Sequence, residues 1–184
     1  MNINCAILEG TKFLKNKNIL SAHLDSEILM AKAINKDRKF ILLNLEKNLL
    51  NKDLINFYKL IKKRSLRKPV AYLTNKKFFW KSEFFVTKDT LIPRPDTEML
   101  VDCILEYSKN KNKQNILDIG IGSGCILLSI LKEKKKFIGT GIDIRKETLN
   151  ICKINAVKLN VINRLKLFKT NVDKFNVGKY DLIV

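Results

Sequence analysis

Long apolar runs are missing from this chain of 184 residues, since no stretch approaches the roughly 18 residues of a transmembrane helix. Its first residues also lack the basic segment and apolar run of a secretory signal. The four cysteines are scattered, with no Cys-x-x-Cys pair, and His23 is the only histidine. These shortages argue against membrane association and bound metal, and they predict reduced thiols in a cytoplasmic protein.

Acidic residues are also few, 18 against 36 basic ones, so the formal net charge is +18. Most of the basic residues are lysines, spread along the sequence without interleaved aromatics. Lys, Asn and Ile all have A/T-rich codons, so a compositional drift of the genome explains the excess. We therefore expect no direct nucleic-acid binding, although this charge favours acidic partners at low salt.

Residues 1–68 are expected to form a helical domain, because apolar residues recur there at helical spacing. Ser21, Asp37 and Asn51 are expected to cap the second, third and fourth helices, and Pro69 to end the fourth. Residues 69–92 change to aromatic and β-branched runs, which predict a hairpin with Lys81 and Ser82 at its turn.

Residues 93–184 alternate between helical and strand patterns. Pro93-Arg94-Pro95 is followed by a helix, and later strands are expected at 115–119, 137–143, 165–168 and 180–184. Helices are expected at about 123–133 and 146–160. Apolar strands alternating with helices predict a parallel sheet covered on both faces. The strand 180–184 is expected to be buried yet to have no following helix, which suggests a fragment, a truncated gene product or a missing partner.

The most informative motif is the strand Asn115–Ile119, which contains Asp118 and runs into Gly120, Gly122 and Gly124. Alternate glycines let the main chain turn tightly and approach a bound nucleoside. A dinucleotide fingerprint would place its third glycine one position later, so a dehydrogenase is disfavoured. Asp118 is expected either to face the ligand's ammonium or to hold the turn through nearby backbone amides.

Asp143 ends the next strand, where a carboxylate suits the two hydroxyls of a ribose. It could also cap the following helix, and both roles are compatible. After the third strand, Thr170, Asn171 and Asp173 are all candidates to reach an adenine amino group.

Several strings together resemble the HemK/PrmC family, the release-factor glutamine methyltransferases. They are Pro69-Val70-Ala71-Tyr72-Leu73-Thr74, Phe78-Phe79-Trp80, Phe84-x-Val86, Leu91-Ile92-Pro93-Arg94-Pro95-Asp96-Thr97-Glu98, the glycine motif with Cys125-Ile126, Gly141-Ile142-Asp143-Ile144, Asn155-Ala156 and Tyr180-Asp181-Leu182-Ile183-Val184.

The resemblance implies an α/β fold in three parts: an N-terminal helical domain that docks the protein substrate (1–68), a β-hairpin connector (69–92) and a partial class I, Rossmann-like methyltransferase domain (93–184). S-adenosylmethionine would be the methyl donor, and the glutamine of the Gly-Gly-Gln motif in class I release factors the acceptor. The donor would contact Asp118, Gly120, Ile121, Gly122, Ser123, Gly124, Asp143, Asn171 and Val172. Arg94, Pro95 and Thr97 would border the substrate cleft.

One departure concerns catalysis. The family's Asn-Pro-Pro-Tyr motif, which holds the glutamine amide, does not occur in this sequence. No catalytic residue is therefore assigned, and the chain, expected to be a monomer, is predicted to be weakly active or inactive. Two alternatives remain: an adenine-N6 nucleic-acid methyltransferase, and a non-catalytic remnant that binds release factors.

Overall fold

Five helices form the first unit, Met1–Thr74, of the computed structural model, which describes residues 1–184. They are α1 (Ile3–Lys15), α2 (Ala22–Ala33), α3 (Arg38–Leu43), α4 (Asn51–Ser65) and α5 (Val70–Thr74). Their apolar faces enclose one core, in which Leu14, Leu29 and Phe57 are fully buried. Burial of such side chains is the main favourable term in the stability of the unit.

The expected helix starts are only partly correct. Asp37 caps α3, because its carboxylate accepts from the Phe40 amide at 2.7 Å. Ser21 precedes α2 as expected, but its hydroxyl donates to Asp25 at 2.9 Å rather than capping the helix. Asn51 is wrong as a cap, since it is already helical and Leu50 precedes it.

The end of the first unit also differs from the sequence expectation. Helix α4 ends at Ser65, and Arg67 then adopts a left-handed φ of 63° before Pro69. Pro69 does not start an extended connector, because α5 follows it directly and packs with α2 and α4. The unit therefore extends to Thr74, whereas the sequence predicted an end at residue 68.

The second unit, Asn75–Val184, begins with an antiparallel hairpin of β1 (Lys76–Phe79) and β2 (Ser82–Phe85). The expected turn at Lys81 and Ser82 is wrong by one residue. Ser82 pairs with Phe79 inside the hairpin, so Trp80 and Lys81 make the turn, with Trp80 at a φ of 53°.

A four-stranded parallel sheet forms the centre of this unit, in the order β5-β4-β3-β6. Its strands are β3 (Asn115–Ile119), β4 (Ile138–Asp143), β5 (Leu165–Lys169) and β6 (Leu182–Ile183), and its helices are α6 (Glu98–Tyr107), α7 (Cys125–Glu133) and α8 (Lys146–Lys158). Strand β3 connects through α7 to β4 on one side and pairs with β6 on the other. The strand order therefore changes direction at β3, the place where open α/β sheets bind ligands.

The two faces of the sheet are covered differently. Gly139 faces α7, since a Cβ there would lie 2.9 Å from the Leu127 side chain. On the segment between β5 and β6, Phe175 packs on Phe168 with ring centroids 5.5 Å apart.

Ile183 of β6 is 59% exposed, so the expectation of a buried last strand is wrong.

None of the helices is both long and apolar enough to cross a membrane. The structure contains no group of three or more His, Cys, Asp or Glu side chains placed to hold a metal ion.

Candidate functional site

The glycine turn after β3 has the backbone that its sequence predicts. Gly120, Gly122 and Gly124 have φ values of 74°, 57° and 80°, in the left-handed region that L side chains rarely adopt. The amides of Gly120 and Ile121 both donate to the Ile142 carbonyl, at 2.9 and 3.0 Å. The turn is thus fixed to the end of β4, the neighbouring strand.

The glycines of this turn have different surroundings. A Cβ at Gly120 would meet no atom within 4 Å, and one at Gly122 only the Gly120 carbonyl at 3.7 Å. At Gly124 it would lie 2.7 Å from the Cys152 sulfur and from a methyl of Leu128. Gly124 is therefore required by packing, whereas Gly120 faces open space at the end of the sheet.

Asp143 lies beside this turn at the end of β4. One oxygen accepts from the Gly122 amide at 3.4 Å, and the other from the Arg145 amide at 3.0 Å. Helix α8 begins at Lys146 with Arg145 before it, so Asp143 is not the capping residue. Each carboxylate oxygen can accept more than one hydrogen bond, which leaves capacity for hydroxyl donors.

A cleft of about 340 Å³ opens at this edge of the sheet. It is lined by Ile119, Gly120, Ile142, Asp143, Ile144, Arg145, Thr170, Asn171 and Val172. Four of the predicted donor-binding residues are therefore brought together: Gly120, Asp143, Asn171 and Val172. Thr170, one of the open candidates, lies there too.

The other predicted residues lie outside the lining of this cleft. Ile121 is buried beneath the turn, and the position of a Cβ at Gly141 would be 2.1 Å from its Cδ1. Ser123 and Gly124 lead into α7. Arg94, Pro95 and Thr97 lie at the short 3-10 turn before α6, and their role in a substrate cleft stays a prediction.

Asp118 is enclosed below the glycine turn, with 4% of its surface exposed. Burial raises the pKa of its carboxyl to about 7, further raised by Asp143, while a hydrogen bond from the Leu127 amide opposes the shift. One carboxyl oxygen, Oδ2, has no hydrogen-bond partner. Asp118 accepts from an amide of α7. It makes no hydrogen bond to the amides of the glycine turn, so its expected role of holding that turn is not supported by a contact.

Two cysteines lie near this carboxyl. Burial raises the pKa of the Cys125 thiol to about 11, and the pKa of Cys152 is raised for the same reason. Since the thiolate is the reactive form, these raised pKa values disfavour nucleophilic chemistry at both residues.

Asn155 is a residue whose role the sequence did not reveal. It is fully buried on α8, where its amide nitrogen donates to the carbonyls of Ser123 at 2.9 Å and Phe85 at 3.0 Å. Its oxygen accepts from the Phe85 amide at 2.7 Å. One side chain thus ties the hairpin to the glycine turn. The sequence signals were its place in the Asn155-Ala156 string of the family resemblance and its position among apolar residues of a helix, and neither revealed these contacts.

The turn that follows the hairpin is held on the same helix. The Asp89 carbonyl accepts from the Thr148 hydroxyl at 3.0 Å and from the Arg145 guanidinium. Lys158 and Glu83 add an ion pair at 2.7 Å further along α8. The segment leading to Pro93-Arg94-Pro95 is therefore held in place by α8.

Comparisons with known proteins agree with this division of the chain. Residues 6–74 match the family model described as PrmC N-terminal domain, and residues 95–184 match the one described as Methyltransferase small domain. The release factor glutamine methyltransferase of Leptospira interrogans is 44% identical over 153 residues, covering 82% of this chain and 53% of that protein. The protein of the same name from Buchnera aphidicola is 36% identical over 184 residues, covering 100% of this chain and 66% of that protein.

Among solved structures, an RNA methyltransferase of Salinibacter ruber in complex with S-adenosyl-L-homocysteine is 20% identical, with a TM-score of 0.44. The alignment covers 50% of this chain and 58% of that one, and a likeness at this level supports no conclusion about this chain. The chain spans about half to two thirds of the length of the release factor methyltransferases that it matches, from 53% to 66%.

The parallel sheet, its strand order and the glycine turn define the second unit as a Rossmann-like methyltransferase domain of class I. Together with the matched first unit and the relatives, this confirms the prediction made from the sequence motifs. The chain belongs to the HemK/PrmC family. The methyl donor of that family is S-adenosylmethionine, as the sequence predicted.

Proposed function

We propose that the cleft beside Gly120 and Asp143 binds S-adenosylmethionine. The observation that carries this proposal is that a Cβ added at Gly120 would point into open space at the end of the sheet. Main chain can therefore approach a ligand there without meeting protein. The neighbouring carboxylate of Asp143 retains free acceptor positions that suit a ribose diol.

The remaining residues are proposed to support the same ligand. Asn171 and Val172 line the cleft and would lie at the adenine end. Asp118 would place a buried carboxylate behind the turn on the side of the donor's methionine ammonium. Ile121, Gly122, Ser123 and Gly124 would shape the turn. When bound, the donor supplies a methyl group on a positively charged sulfonium.

Replacing Gly120 with alanine tests this assignment, with Gly178 as the matched control. Gly178 has a φ of 87° but lies outside the cleft lining, so both alanines impose left-handed strain of about 1–2 kcal/mol. We expect calorimetry to show weaker binding of S-adenosylmethionine, by roughly tenfold or more, only in Gly120→Ala. Equal affinity in both variants would contradict the assignment.

We also propose that the whole protein methylates the side-chain amide of the glutamine in the Gly-Gly-Gln motif of class I release factors. Support comes from relatives that are 44% and 36% identical and named release factor glutamine methyltransferase. The first unit would dock the protein substrate, and Arg94, Pro95 and Thr97 would border the cleft that receives the glutamine. A cytoplasmic location and a monomeric state belong to the same proposal.

An amide nitrogen is a poor nucleophile, so the rate must come from its orientation and from nearby dipoles. Residues 1–184 contain no Asn-Pro-Pro-Tyr motif to supply them. We therefore expect this chain to bind the donor but to transfer methyl to a release factor slowly or not at all. Mass spectrometry of a purified release factor incubated with chain and donor tests this. Rapid addition of one methyl group to the glutamine would contradict the expectation.

A further inference from the structure

Two lysine-rich loops meet at the end of the sheet opposite the cleft. Lys109, Lys111 and Lys113 lie between α6 and β3, and Lys134, Lys135 and Lys136 lie between α7 and β4. We call these six residues the amino-edge patch. Strands β3 and β4 are parallel neighbours, so the loops that precede them lie side by side.

Hydrogen bonds join the two loops. The Lys136 ammonium donates to the Asn112 side chain at 3.0 Å, and the Lys134 ammonium donates to the Ser108 carbonyl at 2.8 Å. Between the loops lies a concave surface of about 320 Å³, to which Lys111 and Lys135 contribute. These hydrogen bonds hold the two loops together, so the hollow between them is part of the folded structure.

Little acidic charge neutralises this hollow. Glu133 is the only acid that lines it, and that carboxylate is engaged by Lys81 at 3.1 Å and by Trp80 at 3.3 Å. Lys111, Lys113 and Lys135 are exposed, and their ammonium groups make no ion pair or hydrogen bond. Three unpaired ammonium groups thus remain available to an anionic partner.

Composition does not account for this density. Lysines occupy 7 of the 10 positions in 109–113 and 132–136, whereas 30 lysines in 184 residues would place about two there. Along the sequence the lysines are dispersed, and on that ground no nucleic-acid binding was expected. The fold gathers two of their runs in one place, and that changes the conclusion for this surface.

We propose that the amino-edge patch binds the phosphodiester backbone of RNA. Lysines bind phosphates as point charges, and the release of counterions drives such binding without reading a base sequence. Tyr107, 63% exposed at the end of α6, offers an aromatic ring just before the first run, as in surfaces that bind single strands. Phe137, the large apolar side chain that lines the hollow, is only 1% exposed, so it cannot insert into a lipid bilayer.

The patch is separate from the donor site. It lies at the amino ends of β3 and β4, and the cleft lies at their carboxyl ends, about 17 Å away for strands of five residues. RNA bound at the patch should therefore leave the affinity for S-adenosylmethionine unchanged. RNA binding at the patch therefore does not depend on methyl transfer at the cleft.

The test compares two triple variants of the full chain. One replaces Lys111, Lys113 and Lys135 with glutamine. The control replaces Lys52, Lys59 and Lys63, which are exposed and unpaired on α4, and lowers the net charge by the same amount. Binding of a labelled oligouridylate of about 20 nucleotides is followed by anisotropy across a salt series, with circular dichroism to verify folding.

We expect the patch variant to bind roughly tenfold or more weakly near 0.1 M salt, with a salt slope about 2 units shallower, since each phosphate contact contributes about 0.7. The control variant should match the parent chain, and arginine at the three patch positions should restore binding. Equal losses in both glutamine variants would overturn the proposal, as would no binding by the parent chain. Stronger patch-dependent binding to phosphatidylserine vesicles than to RNA would overturn it in favour of a membrane surface.

Discussion

The side-chain amide of Asn155 donates to the carbonyl of Ser123 across 2.9 Å in a fully buried site. The same amide forms hydrogen bonds with the N–H and the carbonyl of Phe85, so one side chain of α8 holds both the hairpin and the glycine turn. A buried amide whose nitrogen and oxygen are both bonded holds these elements in one geometry, because any displacement leaves a polar group unpaired.

Replacing Asn155 with alanine should therefore destabilise the chain by about 3 kcal/mol, since the half-buried backbone groups of Phe85 and the buried carbonyl of Ser123 lose their partner. Urea unfolding measures this change. Asn150→Ala, at an exposed position of the same helix, is the control and should cost less than about 0.5 kcal/mol. Similar losses in the two variants would show that Asn155 makes no special contribution.

The Asp118 carboxyl should make stability depend on pH. Its pKa is raised from 3.8 to about 7 in the folded chain, so the folded state holds a proton that the unfolded state releases. Its contribution to the free energy of unfolding is complete below pH 3.8 and is lost as the pH rises towards 7. Asp118→Asn, which cannot ionise, should escape this loss.

Relative to the parent chain, the asparagine variant should gain about 2–3 kcal/mol of unfolding free energy between pH 5 and pH 7. Parallel urea titrations of the two proteins at both pH values measure that gain. A difference that stays constant over this range would show that the Asp118 pKa is not raised.

Gly141 and Ile121 should be coupled in their effects on stability. A Cβ at Gly141 would lie 2.1 Å from Ile121 Cδ1, so Gly141→Ala must displace the isoleucine and should cost about 1–3 kcal/mol. Once Ile121 is shortened to alanine, the same change at Gly141 should cost clearly less, since only Leu167 then remains close, at 3.1 Å. A double-mutant cycle measures the coupling, and strictly additive costs would contradict the predicted contact.

The ion pair of Arg64 with Asp25 should matter to the first unit. The two side chains are 17% and 7% exposed, and they meet at 2.7 Å. Arg64→Ala leaves a buried carboxylate without its cation, which should cost about 3 kcal/mol in thermal or urea unfolding. Lys62→Ala, at an exposed position of the same helix, should cost less than about 0.5 kcal/mol. Equal costs would remove the ion pair as the explanation.

Local patterns explain why much of the fold was predictable. The strand ending at Ile119, the glycine turn and the helix after it follow from apolar periodicity and from the need for left-handed backbone. The cap at Asp37 follows from the same kind of local rule. The position of Asp143 beside Gly122 followed from parallel pairing of two successive strands.

Contacts between distant segments explain the errors and omissions. The hairpin turn moved to Trp80 because Ser82 is buried and accepts a hydrogen bond from Lys132. The role of Asn155 depends on two segments that lie 70 and 32 residues away in the sequence. The amino-edge patch emerged only when two loops were placed side by side.

The glycines of this motif differ in what their surroundings require of them. Gly124 is surrounded by neighbouring side chains, so any replacement is penalised whether or not a ligand exists. Gly120 has no such neighbours, and elsewhere this chain accepts Asn160, Arg67 and even Trp80 in left-handed backbone. A lineage that abandoned methyl transfer would therefore lose Gly120 early and keep Gly124. That order of loss would distinguish an active methyltransferase from an inactive descendant.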